Sequence, residues 1–226
     1  MQRYNTFKLV HKALRALLYD TALLVQQTDF ADATATADIL ERLEYVVHHF
    51  EQHAHHEDNY IQPAVAAFDP QLAAAFEAEH EEDEMLGNQL KALIAMYRSL
   101  HTAAERINCG SAISKSFVDF MIFNLQHMAK EESDQNQVLW QNYTDEQIMD
   151  ISRQIVSKIP PAEMMVSAKW MLRGISNEDA VGWLKALKFA APVEVYSAML
   201  ELAANELPVD RLEIILDAID EEVLVA

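Results

Sequence analysis

The chain has 226 residues, of which 51 % are hydrophobic, and its formal net charge is −19. The hydrophobic fraction excludes a disordered chain as the default, and the length suffices for a substantial buried core. Residues 1–143 carry 10 basic and 21 acidic side chains, and residues 144–226 carry 7 and 15. Neither half therefore offers the basic stripe that nucleic acids or anionic membranes require.

The composition also predicts the fold class and the compartment. With only 4 glycines and 6 prolines, the chain is poor in turn-forming residues, which indicates an all-α protein. A single cysteine, Cys109, cannot form an internal disulfide and fits a reducing compartment. The start has the charge pattern of neither a signal peptide nor a membrane span, so we expect a soluble, cytoplasmic protein.

Four long helices are predicted in the first part of the chain. Their approximate ranges are 4–27, 37–61, 70–105 and 112–142. Thr36 is a candidate N-cap, Pro63 a candidate helix end, and the segment 108–111 a candidate break. Long helices with short connections are typical of an antiparallel up-down four-helix bundle, which we predict for residues 1–143.

The second part of the chain is predicted to contain shorter helices than the first. Thr144 and Gln147 form a predicted capping box for a helix that ends near residue 158. Further short helices are predicted to start near positions 161, 177, 192 and 208. We therefore predict an accessory array of short helices over residues 144–226. Its methionines and tryptophans are expected to form its core, and a protein partner for these helices is an open alternative.

Two segments share a histidine followed four residues later by a glutamate. They are His53-x-x-x-Glu57 and His127-x-x-x-Glu131, and each pair falls on one helix face. All nine histidines lie between positions 11 and 127. His11 and His80 fall on the two other long predicted helices. The pattern predicts a metal site on the bundle axis, since imidazole and carboxylate are ligands of iron, manganese and zinc.

The same residues allow other interpretations. A lone histidine such as His11 can be a core residue, and a single His/Glu pair is often a surface pair. His80 lies in an acidic run that would normally be solvated. On helix two, His48 and His55 point away from His53, whereas His49 and His56 are intermediate. The duplication of the pair beside phenylalanines favours the metal site over these alternatives.

At these residues the chain resembles the hemerythrin-like HHE cation-binding proteins, which hold a non-haem di-iron centre in a four-helix bundle. The resemblance covers about residues 4–142, with its motifs at 11–15, 53–63, 80 and 127–132. It implies two iron ions with an oxo or hydroxo bridge, although other divalent metals would also fit. The implied terminal ligands are His11, His53, His80 and His127, and the implied bridging carboxylates are Glu57 and Glu131.

One departure bears on function. Oxygen-carrying members use five histidines, two of them one turn apart on helix three, whereas Phe76 and Glu84 flank His80 here. Glu84 is in phase with His80 and is a candidate for the missing position. The resemblance then implies binding, sensing or detoxification of a small oxidant such as O2, peroxide or nitric oxide, rather than reversible oxygen carriage.

Three alternatives stay open at this point. A di-iron peroxidase or ferroxidase would use the same residues with turnover, which the sequence leaves undecided. A helical scaffold protein would have purely structural histidines. A ferritin-like bundle needs two Glu-x-x-His motifs, and only Glu77-x-x-His80 fits that spacing.

Overall fold

The computed structural model describes residues 3–221, and every regular element within that range is a helix. The prediction of an all-α protein is therefore confirmed. No helix within the described range is both long enough and apolar enough to cross a membrane. By contacts the chain divides into two compact units. The first contains 1–7 and 17–158, and the second contains 8–16 and 159–226.

The helices follow one another with short connections, and two of the long ones are interrupted by a π-helical turn. The first turn, π1, covers Glu57–Ile61, and the second, π2, covers Glu131–Gln135. The α-helices, in chain order, are α1 Lys8–Gln27, α2 Ala33–His56, α3 Gln62–Ala66, α4 Pro70–Arg98, α5 Ala103–Lys130, α6 Asn136–Asn142, α7 Asp145–Val156, α8 Pro161–Gly174, α9 Asn177–Ala190, α10 Val193–Glu206 and α11 Val209–Glu221.

Helix α2 begins earlier than the sequence indicates. Asp32 is its N-cap, because its carboxylate accepts the backbone N–H groups of Thr34 at 2.8 Å and Ala35 at 3.3 Å. Thr36, the predicted cap, is buried in the first turn and donates its hydroxyl to the Asp32 carbonyl at 2.6 Å. A carboxylate at the N-cap also interacts favourably with the helix dipole.

The predicted helix end at Pro63 is wrong, since the chain remains helical to Ala66. The backbone N–H of Gln62 bonds to the carbonyl of Glu57, five residues back, so π1 shifts the hydrogen-bond register before the proline. Pro63 then lies in the first turn of α3, where a missing N–H is tolerated.

The predicted break at 108–111 is also wrong. The break falls at 99–102, and Thr102 starts α5 with a reciprocal capping box to Glu105. Gly110 is buried inside α5 against Phe30, and a Cβ at this position would lie 2.1 Å from Cγ of that ring. The glycine is therefore needed for a close approach between elements of the first unit, and it does not end a helix.

The start of the last helix in the first unit is as predicted. Thr144 and Gln147 form a capping box that begins α7 at Asp145. The contacts place α7 with the first unit, although the predicted domain junction at 143/144 precedes it. The assignment of domains to 1–143 and 144–226 stays a prediction.

The second unit has its own apolar core. Short helices begin beside each of the four predicted start positions, with Ser176 capping α9. Buried side chains from α8 to α11 form the core, and they include Leu172, Leu184, Met199 and Ile215. Of the methionines and tryptophans expected in this core, Met199 is buried in it, and Met165 and Trp183 are partly buried and pack against it. A protein partner for these helices stays a prediction.

Asp179 links two segments of the second unit. Its side chain is 8 % exposed, and its carboxylate lies 2.6 Å from Lys8 Nζ and 2.5 Å from Lys12 Nζ. Burial raises the pKa of Asp179, but hydrogen bonds from Lys12, Lys8 and Ser176 outweigh it and hold the pKa well below its usual range. The charged form therefore stabilises the folded unit.

We expect Gly110→Ala to lower the free energy of unfolding by about 1–3 kcal/mol, because the added methyl group overlaps the Phe30 ring. Gly182 lies inside α9 with no atom near its missing Cβ, so Gly182→Ala should raise stability by about 0.5–1 kcal/mol. Urea denaturation of both full-length variants measures the contrast. Equal effects of the two substitutions would contradict the packing role of Gly110.

Asp179→Asn should lower stability by about 1–3 kcal/mol at pH 7 through loss of the charged hydrogen bonds. Because the folded pKa is depressed, this contribution is present above about pH 4 and is lost as the pH falls below it. The stabilities of the variant and the parent, measured by urea denaturation, should therefore move closer together as the pH falls from 7 to 3. Asp150→Asn, an exposed carboxylate beside Arg153, is the control and should change little at any pH.

Candidate metal centre

Both π-helical turns begin with a buried glutamate. Glu57 and Glu131 are 1 % and 0 % exposed, and each is the first residue of its turn. Four residues before them, His53 and His127 lie on the preceding α-helices. His53 Nε2 is 3.2 Å from Glu57 Oε1, and His127 Nε2 is 3.2 Å from Glu131 Oε1. The two His-x-x-x-Glu motifs therefore form matched pairs in the structure.

His80 on α4 lies near the glutamates of both pairs. Its Nε2 atom lies 3.4 Å from Glu57 Oε2 and 3.9 Å from Glu131 Oε1. Its ring is also 4.9 Å from the ring of His127, measured between centroids. Three separate segments thus direct imidazole and carboxylate groups at a common point in the interior of the first unit.

The candidate ligand atoms fall into two overlapping groups. One atom from each of Glu57, His80, His127 and Glu131 lies within 4.8 Å of the others. The same limit holds for His53 with the two glutamates. Both groups contain the same two carboxylates and differ in their histidines. Each group could hold a metal ion.

The remaining histidines are placed as follows. His11 is fully buried on α1. His48, His55 and His101 are exposed, the first two as predicted. His49 and His56 are half-buried, and neither belongs to the groups just described.

Glu84 does not have the position that its spacing indicates. It is exposed, whereas its neighbour Asp83 is 5 % exposed. Asp83 accepts a hydrogen bond from Asn124 Nδ2 at 2.5 Å. Burial raises the pKa of Asp83, although the bond from Asn124 opposes this effect. The helix places position 83, one residue earlier, on the interior face, so Asp83 is buried there and Glu84 is not.

Two carboxylates that the sequence reasoning did not single out orient the histidine rings. Asp58 lies 2.6 Å from Nδ1 of His80, and Glu79 lies 2.9 Å from Nδ1 of His127. Glu79 also pairs with Lys130 at 2.6 Å. An Nδ1–H bonded to a carboxylate fixes the ring orientation and leaves Nε2 available as a metal ligand. In the sequence, the position of Asp58 directly after Glu57 is the feature that could have indicated its role.

The pKa values of His80 and His127 are raised in the metal-free protein. Burial lowers the pKa of His80, but the hydrogen bond to Asp58 and the Glu57 carboxylate beside Nε2 outweigh it and raise the pKa to about 10. The pKa of His127 is raised in the same way by Glu131 and Glu79. A cation that takes the Nε2 position must displace these protons.

The residues fit a metal. Nε2 of His80 and Nε2 of His127 are buried and make no hydrogen bond, although Nδ1 of each ring is bonded to a carboxylate. A cation at Nε2 would satisfy both atoms and balance the two buried glutamates. Neutral imidazole with carboxylate suits iron, manganese or zinc.

Aromatic rings form the apolar wall beside this cluster. Phe123 stacks on His127 with 6.0 Å between ring centroids, and Phe76 meets the same ring edge-on at 5.5 Å. Phe50 and Phe120 make a further edge-to-face pair at 5.4 Å. Such a wall excludes bulk water and strengthens electrostatic interactions inside it.

The comparisons with known proteins agree with this chemistry. The model of the hemerythrin HHE cation-binding domain matches residues 2–137. Neither the search of curated proteins nor the search of solved structures gave a match. The match covers more than half of the chain, so the protein belongs to the hemerythrin HHE cation-binding family. The family and the two groups of histidines and glutamates together indicate metal-ion binding.

Asn124→Leu should lower the free energy of unfolding of the metal-free protein by about 1–3 kcal/mol, because Asp83 would lose its donor. The double variant Asp83→Leu with Asn124→Leu should recover part of this loss, since both buried polar groups are then removed. A double-mutant cycle by urea denaturation measures the coupling. Strictly additive effects would show that the bond has no energetic role.

Proposed function

We propose that residues 1–143 form an antiparallel up-down bundle that holds two iron ions. The proposed ligands are His11, His53, His80 and His127, with Glu57 and Glu131 bridging the two metals. The observation that carries the proposal is the pair of ligand groups that share both glutamates. His11 is buried and lies within the range that the family model matches.

We propose that the centre binds, senses or detoxifies a small oxidant such as O2, peroxide or nitric oxide. When bound, a pair of irons supplies redox equivalents and open coordination positions for such a molecule. The chain's own residues support this role in two ways. Asp58 and Glu79 hold the histidine rings in place, and the phenylalanine wall favours small, uncharged ligands over ions.

The first test is metal content with visible absorption after anaerobic loading with ferrous iron and exposure to air. We expect about two irons per chain and the absorption of a bridged diferric centre. Glu131→Gln keeps the shape of the side chain but removes its charge, and it should lose at least one metal. Glu81→Gln, at an exposed position on α4, is the matched control.

The same samples separate the proposal from its alternatives. A parent protein that stays colourless and metal-free after loading would contradict it and would favour a scaffold with structural histidines. Sustained consumption of peroxide or ferrous iron by the loaded protein would instead identify a di-iron peroxidase or ferroxidase.

Asp58→Asn and Glu79→Gln should each weaken metal binding by about 10–100-fold, because each removes the carboxylate that orients a histidine ring. Equilibrium competition with a chelator, using zinc as a redox-inert metal, measures the change. Glu82→Gln, an exposed neighbour on α4, should leave the affinity within twofold. Equal affinities in all three variants would remove these two carboxylates from the site.

A further inference from the structure

Three buried amides follow the bridging glutamates along the chain. The backbone N–H of Gln62 bonds to the carbonyl of Glu57, and that of Asn136 bonds to the carbonyl of Glu131. Gln62 and Asn136 therefore hold equivalent places, each one π turn beyond a glutamate. Gln135 precedes Asn136. All three side chains are more than nine-tenths buried.

These amides lack hydrogen-bond partners. Both polar side-chain atoms of Gln62 and of Gln135 make no hydrogen bond, and neither does Oδ1 of Asn136. The other polar atom of Asn136, Nδ2, donates to the Glu132 carbonyl at 3.1 Å. Buried amides in folded proteins are nearly always bonded to protein groups or to ordered small molecules. Five such atoms on neighbouring segments point to a bound ligand.

Apolar side chains surround this part of the chain. Along each chain segment, the residues that follow the amides belong to an apolar cluster that contains Phe7, Val65 and Leu139. Helices α3 and α6, which carry this part of the chain, are in contact. The amides of the two segments therefore lie in the same part of the first unit, next to apolar side chains that offer them no hydrogen bonds.

We infer that Gln62, Gln135 and Asn136 bind a small oxygen compound that both donates and accepts hydrogen bonds, such as water or hydrogen peroxide. An amide N–H donates and an amide carbonyl accepts, so both kinds of atom need a partner. Dioxygen and nitric oxide donate nothing and would leave the carbonyl oxygens unsatisfied. The inference deepens the proposed function by naming the ligand class, and its link to the metals rests on that proposal.

The test uses nuclear magnetic resonance on the zinc-loaded full chain, because zinc has no redox chemistry. Magnetisation transfer from water to the side-chain amides of Gln62 and Gln135 detects bound water. Hydrogen peroxide is then titrated while the same resonances are followed. Gln137, exposed on α6, is the matched control residue. Gln62→Leu and Gln135→Leu assign the signals.

A saturable shift with peroxide at Gln62 and Gln135, and none at Gln137, is the expected result. In Gln62→Leu the response at Gln135 should weaken, since the two amides share one ligand. Water transfer without a peroxide shift would still support the amide site and would identify water alone as its ligand. Neither signal, with the amides bonded to protein groups, would overturn the inference.

The outcome is separable from the proposed function. If the chain binds no zinc or iron, the di-metal proposal fails. The same water and peroxide measurements on the metal-free protein still decide whether the amides hold a ligand.

Discussion

The first unit depends on the burial of two carboxylates in an apolar interior. Glu57 and Glu131 are almost completely buried beside aromatic rings, a position that is costly for a charged group without compensation. Three histidine Nε2 atoms lie within 3.2–3.4 Å of these glutamates, each beside one of their oxygen atoms. Positive charge, on imidazolium in the metal-free protein or on a cation, is what makes this interior stable. Stability and metal chemistry therefore rest on the same contacts.

Two further carboxylates fix the orientation of the histidine rings. Asp58 and Glu79 each fix one imidazole through its Nδ1 atom, and Glu79 is itself held by Lys130. The two carboxylates are not placed symmetrically. Asp58 comes from the π turn beside His53, whereas Glu79 comes from α4, next to His80 in the chain. Each histidine is thus oriented by a segment other than its own, which ties the segments together.

Much of the fold and part of the site followed from the sequence, because periodicity and capping act locally. The helix class, the starts of the short helices and the two His-x-x-x-Glu pairs are properties of neighbouring residues. The wrong predictions concern positions whose packing is set by residues far away in the sequence. Gly110 is typical of a helix end in the sequence. In the structure, however, it makes room for Phe30, about eighty positions earlier. Glu84 has the right spacing for the site, yet the packing of α4 turns Asp83 inward instead.

The π-helical turns explain why the sequence was misleading near Pro63 and what else depends on them. A π turn holds one residue more than an α-helix allows over the same rise, so it amounts to a single-residue insertion. Removing one residue within 58–61 would therefore return this segment to α-helical hydrogen bonding and leave the later side chains on their present faces. The unchanged sequence in a regular α-helix would instead rotate all later side chains by about 100°, and Gln62 and Val65 would leave the interior together. The π turn after each glutamate therefore decides which later residues of the same helix face the interior.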